Sequence, residues 1–120
     1  MAKRILIIED EPNIMESLRF LLEREGLEVG EQSDGALAMD SVAQQLPDLV
    51  ILDIMLPNRS GFDILQDLDE LPGKRPKVMV LTAKGQAKDR DAAEALGVDC
   101  FMTKPFSNNE IVTTVLEMLA

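Results

Sequence analysis

The sequence predicts an α/β fold, a parallel β-sheet covered by helices on both faces. Two observations carry this. Short apolar runs rich in Ile, Val and Leu recur along the chain, as strands buried on both faces require. Segments of helical pattern separate them, and such alternation is the signature of parallel crossover units.

The first strand is expected near residues 4–8, RILII, directly before Glu9, Asp10 and Glu11. PNIMESLRFLLEREG is the first helix: Pro12 suits the first turn, where a missing N–H costs nothing, and Gly26 stops it. Ile14, Leu18, Leu21 and Leu22 share one face and form its core side, whereas Met15 and Arg19 fall off that face. A second strand near 27–31, LEVGE, precedes a helix in DGALAMDSVAQQL that ends before Pro47. The third strand is expected at 48–53, followed by the helix SGFDILQDLDEL, and the fourth at 77–82, followed by QAKDRDAAEALG, which stops at Gly97. A fifth strand near 98–102 and the helix SNNEIVTTVLEMLA close the chain. Linkers, low-complexity tracts and internal repeats are not visible. A single domain over residues 1–120 is therefore expected, with no room for an output domain.

Bulk composition narrows the function. A chain of 120 residues with 46% hydrophobic content is the size of one globular domain, able to bury roughly two thirds of its unfolded surface. A net charge of -10 and a pI near 4.3 argue against direct binding to nucleic acid or anionic lipid. Cys100 stands alone and cannot form an internal disulfide. The apolar stretch at the N-terminus is too short for a signal peptide, and no run approaches the ~18 residues of a membrane span, so a cytoplasmic setting is expected. With no histidine, the chemistry must use carboxylates, hydroxyls and lysine.

Ligands of open parallel sheets bind outside the carboxyl ends of the strands. The first strand ends in Glu9 and Asp10, the third in Asp53, the fourth in Thr82 and Ala83, and the fifth in Lys104. Taken singly, most have a plain structural explanation: Thr82 suits any strand, Lys104 any surface, and Glu9 and Asp10 any solvated helix start. Asp53 differs, because an acid directly after LVIL in a central strand sits where unpaired charge is costly. Two carboxylates ~4 Å apart repel by roughly 4 kcal/mol at an effective dielectric near 20, so a folded cluster of acids calls for dilution by water, as in a solvated turn, or for a cation. Facing carboxylates are hard oxygen ligands suited to Mg²⁺. Beside such an ion Asp53 can attack phosphorus as a carboxylate nucleophile, with Lys104 neutralising the equatorial oxygens and Thr82 offering a hydroxyl donor.

These residues stand in order as IIEDE, LVILDIMLPNRSGFD, VMVLTA and FMTKPF, and over essentially the whole chain the sequence resembles the receiver domain of two-component response regulators. The resemblance implies a doubly wound, flavodoxin-like (β/α)5 sheet of strand order 2-1-3-4-5. It implies that Asp53 is the phosphoacceptor, that Asp10, Asp53 and the Met55 backbone carbonyl ligate Mg²⁺, and that Glu9 acts through water. Lys104 would pair with the phosphoryl group, Thr82 would move to meet it, and Ala83 would donate its N–H. Phe101 is either the aromatic whose rotamer follows Thr82 or a plain core aromatic. Pro57 and Gly61 match the loop after the phosphoacceptor, where a glycine would allow positive φ. Lys104–Pro105 would be cis, an isomer that about 5% of X–Pro bonds adopt.

Further consequences of the resemblance concern kinetics and partners. Met55 and Lys84 occupy the positions that tune phosphoryl lifetime, and neither suits the orientation of a hydrolytic water, so slow self-dephosphorylation is expected. The donor would be a separate histidine kinase or phosphotransfer protein, which Met15, beside the acids, could contact. The output surface would be the fourth helix, fifth strand and fifth helix, acting on a target protein or on an output domain of a longer regulator. Arg90 and Glu110 could form one salt bridge of a dimer on that face, although Cys100 stands where an acid is usual. Two readings from other classes are weaker. A phosphatase of the haloacid dehalogenase type needs a second acid where Met55 stands, and an FMN carrier needs an anion-attracting loop where the sequence reads EDEP.

Overall fold

The structure, a computed structural model, describes residues 2–83 and 86–120. Lys84, one of the expected lifetime-tuning positions, lies outside the described residues. Five parallel strands, β1 (Arg4–Ile8), β2 (Glu28–Gln32), β3 (Leu49–Leu52), β4 (Lys77–Thr82) and β5 (Cys100–Thr103), form one sheet of order β2-β1-β3-β4-β5. The order matches expectation, and β1 and β3 lie side by side near the middle with Ile8 opposite Leu52. The residues after them, Glu9 and Asp53, therefore emerge as neighbours.

Among the described residues, five α-helices cover the sheet: α1 (Pro12–Arg24), α2 (Ala38–Gln45), α3 (Gly61–Asp69), α4 (Ala87–Ala95) and α5 (Asn108–Leu119). Strand side chains alternate between faces, so Ile5 and Ile7 pack with Leu18, Leu22, Ile111 and Val115 on the α1 and α5 side. Leu6 and Ile8 pack with Val42, Ile64, Leu65 and Ala93 on the α2, α3 and α4 side. Both strand faces are thus apolar, which is why the runs read as continuous rather than alternating.

Three expected boundaries shift, each for a local reason. Gly26 adopts φ 83, and the Leu27 N–H donates to Leu22 O at 3.3 Å, closing α1; Leu27 belongs to the helix terminator and β2 starts one residue later. Gly97 does the same for α4 with φ 83, drawing Val98 N–H to Ala93 O at 3.3 Å, so β5 starts at Cys100. Asp53 falls just beyond β3. A 3-10 turn, Gly35–Leu37, precedes α2.

Met15 corrects the reading of α1. It is buried, whereas Ile14 is only partly so. The buried face runs through Met15, Leu18 and Leu22, spaced as successive helical turns, with Ile14 on its flank. Met15 is thus largely core, and an exposed contact for a partner is not what the fold presents.

The N-termini of α3 and α5 are capped by serine: Ser60 Oγ accepts from Asp63 N–H at 3.3 Å and Ser107 Oγ from Glu110 N–H at 3.0 Å. Ser107→Ala is expected to cost about 1 kcal/mol, read as a lower urea midpoint at unchanged slope.

Candidate functional site

The parallel register delivers the polar residues to one sheet edge. Glu9 comes directly after β1 and is 3% exposed; its N–H donates to Gln32 O at 3.0 Å, anchoring it to the end of β2. Asp53 comes directly after β3 and is 5% exposed, with its N–H on Ile8 O at 3.1 Å. Carboxylate oxygens of Glu9, Asp10 and Asp53 lie within 4.8 Å of one another. Asp10 is exposed, and Glu9 and Asp10 border a cleft of about 490 Å³ lined also by Met15, Arg19 and Glu31.

Lys104 reaches into the cluster from the end of β5. Its ammonium donates to Glu9 Oε2 at 2.8 Å and to Asp53 Oδ2 at 3.0 Å. Buried carboxylates demand such a partner. The remaining oxygens have backbone donors: Glu9 Oε1 accepts from Glu11 N–H at 3.1 Å, and Asp53 Oδ1 from Met55 N–H at 3.0 Å. Burial is the largest influence on Glu9 and, with the charge of Asp53, holds its carboxyl above the ordinary value, against the hydrogen bonds from Lys104 and Glu11. Burial alone would lower Lys104, yet the two carboxylates together raise it, so the ammonium stays protonated.

Among the described residues, one ammonium against three carboxylates leaves the cluster net negative when all are ionised. The donor set consists of hard oxygens close enough to share one ion, which fits a divalent cation such as Mg²⁺.

Other expected residues take different places. Thr82 ends β4 fully buried, and its carbonyl accepts the Lys104 N–H at 2.9 Å, tying the two strand ends together. Ala83 is exposed beside it. Met55 is 58% exposed, and its backbone N–H touches the Asp53 carboxylate. Phe101 is half-buried, packed against the core on the α2, α3 and α4 side, with the Arg90 guanidinium 4.9 Å from its ring centroid. Arg90 thus engages an aromatic of its own chain, and Glu110 lends its N–H to the α5 cap. Lys104–Pro105 is cis, as expected.

Gly61 corrects the expected role of its glycine. Its φ is not positive; the left-handed residue of this loop is Asn58. A Cβ on Gly61 would lie 2.5 Å from Asp53 O and 2.5 Å from Ile54 Cα, so close backbone approach demands the glycine.

Two contacts are not legible in the sequence. One is the direct pairing of Lys104 with Glu9, where the resemblance gives Glu9 a role through water. The other joins the DG of the second helical segment to the PN after Asp53. Each motif is visible alone, yet only the fold shows that they meet.

A doubly wound α/β domain whose strand tips, among the described residues, gather three carboxylates and one lysine belongs to the flavodoxin-like, CheY-like class. The chain belongs to the response regulator receiver domain family, whose sequence model matches residues 5–116. It is 40% identical over 116 residues to the "Probable transcriptional regulatory protein TcrX" of Mycobacterium tuberculosis, covering 96% of this chain and 49% of that protein. It is 38% identical over 119 residues to the alkaline phosphatase synthesis transcriptional regulatory protein PhoP of Bacillus subtilis, covering 99% and 49%. The chain thus spans about half the length of these curated relatives. A CheY-like response regulator receiver domain protein from Methanospirillum hungatei superposes with a TM-score of 0.91 at 26% identity, over 99% of this chain and 94% of that one. Receiver domains are signalling domains of two-component systems rather than enzymes that turn over small molecules. Among the described residues, no helix is long and apolar enough to cross a membrane.

Proposed function

We propose that residues 1–120 form one cytoplasmic receiver domain that takes a phosphoryl group onto Asp53 from a partner phosphohistidine. The observation that carries this is the state of Asp53: buried, one oxygen on Lys104 and the other on the Met55 N–H, within the three-acid cluster. Carboxylate reactivity in such a place is governed by the groups that hold each oxygen.

Asp10, Asp53 and the Met55 carbonyl would hold Mg²⁺, with Glu9 supporting through water; bound there, the ion supplies charge neutralisation for phosphoryl oxygens. An Asp53 oxygen forms the bond to phosphorus as the phosphorus–nitrogen bond of the donor imidazole breaks, and that electron pair leaves with the nitrogen. Lys104, released from Glu9 or Asp53, offers its ammonium to the transferred group, and Thr82 and Ala83 offer hydroxyl and N–H donors. Thr82 and Phe101 would carry the change to the α4, β5 and α5 face, which acts on a target protein or an output domain. The thioether of Met55 is a poor group to orient a hydrolytic water, so the phosphoryl group should be lost slowly.

The test is incubation with Mg²⁺ and acetyl phosphate, followed by intact mass. The parent is expected to gain one phosphoryl adduct and Asp53→Asn none. An adduct of equal yield in the variant would move the chemistry elsewhere.

A further inference from the structure

The loop after Asp53 is held from outside by the connection between β2 and α2. Asp34 Oδ1 accepts from Asn58 Nδ2 at 3.0 Å and from Ala36 N–H at 2.9 Å. Gly35 N–H donates to Pro57 O at 3.2 Å. Gly35 is buried, and a Cβ there would stand 2.2 Å from Arg59 O and 2.9 Å from Pro57 O, so the two backbones are in direct contact.

The same connection is tied to the first strand. Asp34 N–H donates to Gln32 Oε1 at 3.0 Å, while Gln32 O accepts the Glu9 N–H at 3.0 Å. On the far side, Met55, two residues before Pro57, donates its N–H to Asp53 Oδ1 at 3.0 Å. A continuous path of hydrogen bonds and one short backbone segment thus runs from Glu9 through Gln32 and Asp34 to Asn58, Pro57, Met55 and the Asp53 carboxylate. Asn58 adopts φ 69, a left-handed conformation that asparagine tolerates better than other side-chain-bearing residues, and its amide meets Asp34 in that conformation.

We propose that Asp34 is a positioning residue for the phosphoacceptor: by holding Asn58, and with the adjacent Gly35–Pro57 hydrogen bond, it keeps the Met55 N–H on Asp53 Oδ1 and so sets the orientation of the carboxylate. The proposal rests on the reading that Asp53 accepts the phosphoryl group. The side chain of Asp34 bonds to Asn58 and Ala36 rather than to the acids or Lys104, so its effect is transmitted through the loop. The hydrogen bonds from Asn58 and then Ala36 also hold its carboxyl below the ordinary value. Groups that orient a ligand from behind typically change affinity or activity by roughly ten- to a hundredfold when removed, and an exposed contact belongs at the lower end.

The experiment uses Asp34→Ala, Asn58→Gly and Asp34→Asn, with two readouts. The first is hydrogen exchange at the Met55 amide in metal-free protein, with Ile51 and Val80 as references within the sheet. The second is the rate of adduct formation with acetyl phosphate and Mg²⁺. Asp34→Ala and Asn58→Gly are expected to speed Met55 exchange and slow adduct formation, each by about tenfold, with the references unchanged. Asp34→Asn keeps an acceptor oxygen for both donors and is expected to restore both readouts. Unchanged Met55 exchange in Asp34→Ala, or exchange accelerated equally at all three amides, overturns the positioning role whatever happens to Asp53. A parent protein that takes no adduct overturns the phosphoacceptor reading instead, and with it the purpose of the clasp, even where Met55 responds.

Discussion

Lys104→Met is expected to lower the stability of the metal-free protein by about 3 kcal/mol at neutral pH, the low end for breaking a buried ion pair from one side. Among the described residues, the Lys104 ammonium reaches both Glu9, at 2.8 Å, and Asp53, at 3.0 Å. Methionine matches much of the lysine stem but leaves two buried carboxylates facing each other without it. The pH dependence gives the cause. Glu9 already lies above its ordinary 4.5 through burial and the charge of Asp53, and removing the Lys104 hydrogen bond deletes one of the forces that lower it. A carboxyl whose folded pKa is raised favours folding below its unfolded value and loses that contribution as pH rises through the folded one. The deficit should therefore be small where Glu9 is protonated in both folded proteins and fully developed above the variant's still higher Glu9 pKa. Urea denaturation of parent and variant across this range measures it, and a deficit that does not vary with pH would assign the loss to packing instead.

Gly61→Ala is expected to cost about 2–3 kcal/mol, an overpacking penalty that neighbours cannot relieve by changing rotamer. The atoms in the way, Asp53 O and Ile54 Cα at 2.5 Å each, are backbone, and Gly61 N–H is also held by Ile54 O at 2.8 Å. Relief requires moving the segment that carries Asp53, so adduct formation should slow along with the fall in thermal midpoint. A midpoint equal to that of the parent would show that the loop yields freely.

The sheet and the tip residues are legible in the sequence for one reason: each apolar run stops abruptly at a polar residue. Glu9, Asp53 and Lys104 are all found this way, because a parallel sheet places the ends of its strands on one edge. Strand order does not follow from alternation alone; it comes through the resemblance. The boundaries at Leu27 and Val98 are hard to place because an apolar residue after a capping glycine packs onto the helix it terminates. Met15 is hidden because the apolar stripe of α1 is wide, and a flank cannot be told from a centre without knowing the tilt of the helix on the sheet. The glycine at 61 is visible, but a close approach and a positive φ demand the same residue. The Asp34 clasp is beyond reach, since it joins two loops remote in sequence whose encounter depends on the finished fold.

The sheet also acts as a partition. Because β1 sends Ile5 and Ile7 to one flank and Leu6 and Ile8 to the other, the interior is two separate compartments sharing a wall. Side chains in one compartment can be exchanged without repacking the other. A lineage could therefore remodel one flank to suit a new recognition surface while the wall, and the carboxylates at its rim, stayed as they were.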